Sequence, residues 1–122
     1  MNNQRVYDYS FAKIYQLYLT KAERKERRAE EVDQILFWLA GHDRESLDQV
    51  IASGITLEQF FAQAPAMNPA RSLVTGVICG VRIEEIEEPM MREIRIMDKL
   101  VDELAKGRKM EKILRSPAPA DR

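Results

Sequence analysis

Apolar residues recur at helical spacing along most of this chain, in short stripes separated by strong helix boundaries. The first stripe follows the N-cap candidate Ser10 and comprises Phe11, Ile14, Tyr15, Tyr18 and Ala22. Thr20 and Glu23 form a capping-box pattern. The helix therefore either breaks near residue 20 or extends into the charged tract 21–31.

Three further short helices are predicted between this tract and Pro65. Gly41 suits the C-cap of the first, Asp43 the N-cap of the second, and Thr56 with Gln59 a capping box for the third. Their apolar stripes are Val32, Ile35, Leu36 and Leu39, then Leu47, Val50 and Ile51, then Leu57, Phe60 and Phe61.

The segment 64–91 is the least regular part of the pattern. Asn68-Pro69 predicts a helix start, because asparagine caps and proline suits the first turn. The apolar residues at 73–78 continue it for two or three turns, but their β-branched character and the glycines at 76 and 80 leave a strand open. The stretch 83–86 fits one helical turn.

Pro89 begins the longest predicted helix, which Gly107 ends, and a last short helix follows. The inward positions are Met90, Ile94, Met97, Leu100, Val101 and Leu104, then Met110, Ile113 and Leu114. The pattern predicts an all-α, single-domain irregular bundle of six to seven mostly short helices over residues 10–115. We expect an extended lead-in at 1–9 and a disordered tail at 116–122.

Composition fits a soluble globular protein of one domain. The 19 Lys and Arg against 20 Asp and Glu give a formal net charge of −1, which disfavours a general nucleic-acid coat but not a local basic patch. The single cysteine suits a reducing compartment. No secretory leader pattern and no apolar run near the roughly 18 residues that span a bilayer is visible, so we expect a cytoplasmic protein without membrane contact.

The sequence offers no nucleophile–base pair, no metal-ligand set and no phosphate loop, so we predict no catalytic residue, metal or cofactor. His42 is interpreted as a turn residue. Cys79 is interpreted as a buried small hydrophobe that thiol reagents label slowly, with a nucleophilic or redox role beside Arg82 as the alternative.

Three polar groups also have structural and functional interpretations. Tyr15 and Tyr18 are interpreted as packing the first helix with their hydroxyls at the rim, and the alternative is that the cluster Tyr7, Tyr9, Tyr15 and Tyr18 stacks bases or grips a ligand. Glu84, Glu85, Glu87 and Glu88 fit solvated charge before a helix start better than the alternative, which is binding of a divalent cation or acid–base chemistry. Two basic groups hold phosphate only if they meet on one face: Lys21, Arg24, Lys25, Arg27 and Arg28, and Lys106, Arg108, Lys109, Lys112 and Arg115.

Four blocks of the chain resemble successive blocks of one protein family: FAKIYQLYLTKAERK, EVDQILFWLAG, FFAQAPAMNPARSLVTGVICGVRIEEIEEPMMREIR and MDKLVDELAKGRKMEKILR. The chain is similar, over roughly residues 5–115, to small bacterial proteins known as domain of unknown function 2200. The resemblance implies a bacterial, cytoplasmic, single-domain protein and supplies no activity or site residue. Arg28-Ala29 departs from it where a capping threonine is expected, so this helix start is expected to fray.

We interpret the chain as a non-catalytic binding or interaction module for a protein or a small acidic ligand, with a homo-oligomer left open. One alternative is an anion- or small-molecule-binding protein or enzyme whose pocket involves Asn68, Arg71 and Arg82, since helix starts and guanidinium groups attract anions. In the structural interpretation of these residues, Asn68 only caps and the arginines pair with the 84–88 glutamates. A nucleic-acid adaptor is the second alternative.

Overall fold

The computed structural model describes residues 3–116 and contains seven α-helices in that range. They are α1 (Gln4–Tyr7), α2 (Phe11–Arg24), α3 (Ala29–Ala40), α4 (Arg44–Ser53), α5 (Leu57–Ala62), α6 (Pro89–Ala105) and α7 (Met110–Ile113). Two 3₁₀ turns, Pro69–Leu73 and Ile83–Glu85, flank a hairpin of β1 (Val77–Ile78) and β2 (Val81–Arg82). The all-α prediction is confirmed, since among the described residues this hairpin is the only sheet and Ser10 and Thr56 form one isolated antiparallel bridge.

Helices α2 and α6 run side by side in the same direction. Three side-chain contacts join these helices or the residues just before them: Tyr7 to Glu88, Tyr18 to Asp98, and Lys21 to Asp102. The partners are 81, 80 and 81 positions apart in the sequence, and this nearly constant separation means that the two helices are parallel. Helix α3 packs against both α2 and α6. The C-terminal ends of α2 and α6 therefore lie at the same end of the molecule.

One apolar core unites the helices and the hairpin. Phe11 of α2 and Phe60 of α5 are fully or almost fully buried and stack with ring centroids 4.0 Å apart. Met97 and Leu100 of α6 are also fully buried. Complete burial of large side chains of this kind contributes about 1.5–3 kcal/mol each, so these contacts dominate the stability of the bundle.

The predicted helix starts are confirmed where local capping decides them. Ser10 and Asp43 accept the backbone N–H of the third helical residue, and Thr56 with Gln59 forms the predicted capping box. Thr20 does not cap a helix, because α2 continues to Arg24 and the Thr20 hydroxyl donates to the carbonyl of Gln16. A hydroxyl bonded back by one turn satisfies itself within the helix.

Helix α3 begins without a capping side chain from Arg28. The carboxylate of Glu31 instead accepts the backbone N–H of Arg28 at 2.9 Å, which is one half of a capping box. The start predicted to fray is thus held by Glu31. The guanidinium of Arg27 fixes that carboxylate in turn, at 2.8 and 3.2 Å.

The prediction of an extended lead-in over residues 1–9 is wrong for its described part. Residues 4–7 form α1, and the ring of Tyr7 is buried in the core. Its hydroxyl donates to Glu88, which also accepts from the side chain of Asn3 at 2.7 Å. This long-range anchoring orders a segment too short to signal a helix by periodicity. Residues 1–2 lie outside the described range.

The prediction of a helix through residues 73–78 is also wrong, and the strand alternative is the correct one. Only the 3₁₀ turn Pro69–Leu73 follows Asn68, and β1 and β2 then pair as a two-residue hairpin. Its turn residues Cys79 and Gly80 have φ values of 53° and 75°, the left-handed conformation that tight hairpin turns require. The single turn predicted at 83–86 is confirmed as Ile83–Glu85.

Pro89 opens α6 as predicted, and the short last helix is present as α7. Of the predicted disordered tail at 116–122, only Ser116 is described, and residues 117–122 lie outside the described range.

Candidate functional site

Asn68 and Arg71 lie together, as their spacing predicted, but both are engaged within the fold. The side-chain oxygen of Asn68 accepts the backbone N–H of Ala70 at 2.9 Å. Arg71 donates to the backbone carbonyl of Asn68 at 2.9 Å, and its Nε lies 2.8 and 3.0 Å from the two carboxylate oxygens of Glu93. The guanidinium therefore ties the 3₁₀ turn to α6.

Arg82 lies apart from this pair. Its Nε is 3.8 Å from a carboxylate oxygen of Glu85, and both side chains are largely exposed. The predicted pairing with the glutamates at 84–88 thus applies to Arg82, whereas Arg71 pairs with Glu93. A groove of about 340 Å³ beside Arg71 has a lining that does not include Arg82: Pro69, Arg71, Ser72, Arg92, Glu93 and Ile96.

Arg92 is the second guanidinium of this groove, and the sequence analysis missed it. Two of its nitrogens donate to the backbone carbonyl of Ile86, and it makes no ion pair with a carboxylate among the described residues. It lies in the first turn of α6, three residues after Pro89. The sequence pattern that singled out Arg71, an arginine soon after a helix-starting proline, also applies here.

The two predicted basic groups do meet, where α2 and α6 end. We call this region the charged end, and its paired residues are Lys21, Arg27, Glu31, Asp102, Glu103, Lys106, Arg108 and Arg115. Arg27 donates from one nitrogen to the carbonyls of Leu104 and Arg108, at 3.1 and 2.9 Å. Unpaired carbonyls give a helix C-terminus partial negative charge, so the guanidinium is held by the fold itself.

Two buried carboxylates take up further cations at the charged end. Asp102 contacts Lys21 at 3.1 Å and Lys106 at 2.9 Å. Burial alone raises the pKa of Asp102, but the two ammonium groups outweigh that effect and leave the pKa below its ordinary value. The side chain of Glu103 is only 8% exposed and receives Arg108 at 3.0 Å and Arg115 at 2.5 and 2.8 Å.

The remaining basic residues of the two groups are exposed among acidic neighbours. These cations are Arg24, Lys25, Arg28, Lys109 and Lys112, and the acidic residues are Glu23, Glu26, Glu30 and Glu111. The charged end is thus largely an internal ion-pair network that stabilises the helix ends. Its mixed charge gives little support to a continuous phosphate-binding face.

The packing interpretation of the tyrosines is supported by their burial and by partners that the sequence did not suggest. Three of the four are buried and donate to carboxylates: Tyr7 to Glu88, Tyr15 to Asp33 at 2.5 Å, and Tyr18 to Asp98 at 2.6 Å. Burial and the neighbouring carboxylates raise the pKa of Tyr7 and of Tyr15 to about 12. These hydroxyls therefore stay protonated and cross-link helices.

His42 is buried beside Phe60, with Nδ1 2.9 Å from the hydroxyl of Ser46. Burial lowers the pKa of His42, so the neutral ring is favoured in the folded protein. Within residues 3–116, no carboxylate is hydrogen-bonded to the ring, as the orientation of a general base requires. The turn interpretation is consistent with this position.

The prediction that Cys79 is buried is wrong, because its side chain is exposed at the tip of the hairpin. The apolar sequence around Cys79 reflects the strands, whose buried member is Ile78, and not the turn.

The start of α2 carries one of two groups of exposed large apolar side chains among the described residues; the other comprises Leu73, Val77 and Val81 at and before the hairpin. Tyr9 and Leu17 are 45% and 63% exposed. They border a groove of about 630 Å³ lined by Asp8, Tyr9, Ser10, Lys13, Ile14 and Leu17, which we call the α2 surface. Tyr9 and Ile14 also line a second cavity, of about 190 Å³, towards α6.

The helical spacing of apolar residues in the sequence could have indicated the α2 surface. Leu17 lies outside the i, i+3, i+4, i+7 positions that define the buried face of α2, so its large apolar side chain has no core to enter. An apolar residue on the polar face of an amphipathic helix is the pattern that indicates such a surface.

Comparison with known proteins identifies the family. The family described as "Uncharacterized protein conserved in bacteria (DUF2200)" matches residues 5–115. The chain belongs to this family. It is also similar to the solved structure described as "Crystal structure of uncharacterized protein SP1917", with 44% identity, 93% of each chain covered and a TM-score of 0.86. No curated protein matches the chain.

Membership of DUF2200 confirms the predicted resemblance, and neither description names an activity. Within residues 3–116 of this family member, no three His, Cys, Asp or Glu side chains are grouped to hold a metal ion. No helix in that range has the length and apolar character needed to cross a bilayer. The function is therefore inferred from the geometry of the α2 surface and of the Arg71–Arg92 groove.

Proposed function

We propose that this protein is a non-catalytic interaction module of the bacterial cytoplasm that binds a protein through the α2 surface. The observation that carries the proposal is the exposure of Tyr9 and Leu17 beside a groove of about 630 Å³. A leucine that is 63% exposed on a helix buries little of its apolar area within the monomer, so most of that area is available to a partner. Burial of such side chains by a partner supplies binding free energy, and aromatic residues are common anchors.

The charges around the groove indicate the kind of partner. Asp8 and Lys13 line the α2 surface, and the Arg95–Asp98 ion pair lines the adjoining cavity. This balance of sign disfavours a polyanion such as nucleic acid, which needs a basic excess. An apolar surface with a mixed polar rim is typical of protein interfaces.

A photocrosslinking amino acid in place of Leu17, introduced in the bacterial host, tests the proposal. We expect a discrete protein adduct at position 17 that is lost when Lys13→Glu is added, because the substitution disturbs the rim of the same groove. The matched control is the crosslinker at Leu73, which is 46% exposed outside the α2 surface. Equal adducts at 17 and 73, or none at 17, would contradict the proposal.

An acidic ligand in the Arg71–Arg92 groove is the second candidate, and the absence of an ion-pair partner for Arg92 among the described residues favours it. The guanidinium is held by the carbonyl of Ile86 and lines the groove beside the neutral Arg71–Glu93 pair. Arginine grips carboxylates and phosphates through paired N–H groups. Asn68 then only positions Arg71, and Arg82 adds a distant charge.

Amide NMR titration with phosphate and with acetate tests this candidate. Shifts confined to the groove that disappear in Arg92→Gln support it, and Arg82→Gln is the matched control outside the groove. Arg71→Ala separates structure from binding, because loss of stability without loss of the shifts assigns Arg71 to folding alone. Unchanged shifts in Arg92→Gln would remove the candidate.

A further inference from the structure

Two oppositely charged side chains border the exposed apolar residues of the α2 surface. Asp8 ends α1, and Lys13 lies in the first turn of α2, with Tyr9 between them along the chain. Both line the same groove as Tyr9, Ile14 and Leu17. Lys13 makes no ion pair among the described residues, so its charge is available to another molecule.

The same surface combines an exposed apolar side chain with a groove. Leu17 is the most exposed large apolar side chain described, and the groove beside it adjoins the cavity formed by Val6, Leu57 and Ile94. A twofold interface uses one patch on both copies, so the patch must contain its own complement in both shape and charge. The α2 surface carries the elements that such a patch needs, namely one acidic and one basic side chain beside an exposed leucine and a groove.

We infer that the partner of the α2 surface is a second copy of this chain, bound about a twofold axis. In this dimer Asp8 of each copy pairs with Lys13 of the other, and Leu17 of each copy enters the groove of the other. This inference rests on the proposed function, since it names the partner of the same surface. Each substitution at the interface acts twice, because both copies carry it.

Charge reversal provides the sharpest test. Lys13→Glu places two carboxylates at each polar contact, and Asp8→Lys places two ammonium groups there. Each variant should therefore dissociate, with a dissociation constant raised at least about tenfold, as expected for interface residues that matter. An equimolar mixture of the two variants restores both opposite-charge contacts and should form a heterodimer. The double variant Asp8→Lys/Lys13→Glu should again form a homodimer.

Sedimentation equilibrium measures the association of the wild type and variants over about 1 μM to 1 mM, and native mass spectrometry identifies the heterodimer. Leu17→Glu should also give a monomer, with Leu73→Glu as the control that leaves the dimer intact. Thermal unfolding of each variant verifies that dissociation does not reflect loss of the fold. A dimer unaffected by these changes, or a mixture that stays monomeric, would overturn the inference.

The crosslinked adduct at position 17 separates this inference from the proposed function. An adduct of twice the chain mass supports the second copy. An adduct with a different protein, together with a monomeric wild type, refutes the dimer and retains the α2 surface as an interface. A monomeric wild type without any adduct at position 17 refutes both.

Discussion

The charged end and the α2 surface differ in how far the fold uses their side chains. At the charged end, ten basic residues first resemble a binding site, yet Arg27, Arg108 and Arg115 are engaged by carbonyls and carboxylates of the same molecule. At the α2 surface, Tyr9 and Leu17 contribute exposed apolar area without a core to fill. The difference teaches that charged side chains paired within the fold are explained by structure, whereas an exposed apolar group beside a groove is the place to look for an interface.

Substitution of Glu103 by Gln should have the largest effect on the free energy of unfolding. The change leaves Arg115, which is only 15% exposed, without the carboxylate that holds it at 2.5 and 2.8 Å. Removing one partner of a buried ion pair costs about 3 kcal/mol. Denaturant unfolding monitored by circular dichroism measures the loss of unfolding free energy. A loss below that of a typical surface substitution would show that the charged end is not structural.

Substitution of Arg27 by Ala should have the next largest effect, because it removes two carbonyl contacts at the end of α6 and the contact with Glu31. Hydrogen bonds from a charged donor are worth about 2 kcal/mol. The adjacent Arg28→Ala is the matched control, since the Arg28 side chain is exposed at the same helix junction and makes no hydrogen bond or ion pair within residues 3–116. Similar losses for both variants, measured by urea unfolding, would contradict the capping role of Arg27.

Acidification should weaken the charged end in a graded manner. The pKa values of Glu31 and Asp102 in the folded protein are lowered from ordinary values of 4.5 and 3.8. Both groups bind protons more readily in the unfolded chain, so their stabilisation is present above those values and is lost as the pH falls through the lowered pKa values. Native-state hydrogen exchange should show faster opening of the first turn of α3 below pH 4.5, and of the C-terminal turn of α6 below pH 3.8, than at about pH 6. Uniform acceleration across all helices would argue against a local effect.

Leu17→Glu should have the smallest effect on the isolated fold. A side chain 63% exposed contributes little to the core, so the free energy of unfolding of the dissociated protein should change within about 0.5 kcal/mol. Chemical denaturation at a dilution where the chain is monomeric measures this. Phe11→Ala on the buried face of the same helix is the contrasting variant. A large loss of unfolding free energy in Leu17→Glu would show that the α2 surface stabilises the fold and is not free to form an interface.

The sequence predicted what local chemistry decides. Caps at Ser10, Asp43 and Thr56 follow from side chains that reach their own helix starts, and Pro89 opens α6 for the same local reason. The sequence pattern favoured a helix over the hairpin, because the hairpin turn places Cys79 at a positive φ that few non-glycine residues adopt. No local rule identifies such a turn.

The candidate site was predictable only in part. Asn68 and Arg71 were expected together because they are three residues apart. The partner of Arg71, Glu93, is 22 residues away, and the packing of α6 against the turn brings it there. Arg92 enters the same groove for the same reason. Side-chain partners chosen by packing are not visible in a spacing pattern.

The parallel pairing of α2 and α6 has a consequence for the order in which the chain folds. Its side-chain contacts join residues 80 or 81 positions apart, about two-thirds of the 122-residue chain. Antiparallel neighbours joined by a short loop can zip together early, whereas this pair requires closure of a long loop. We therefore expect folding to be slower than in an up-and-down helical bundle of this size. The contacts of α6 with α2 should then belong to the late steps, after α2 to α5 have begun to pack.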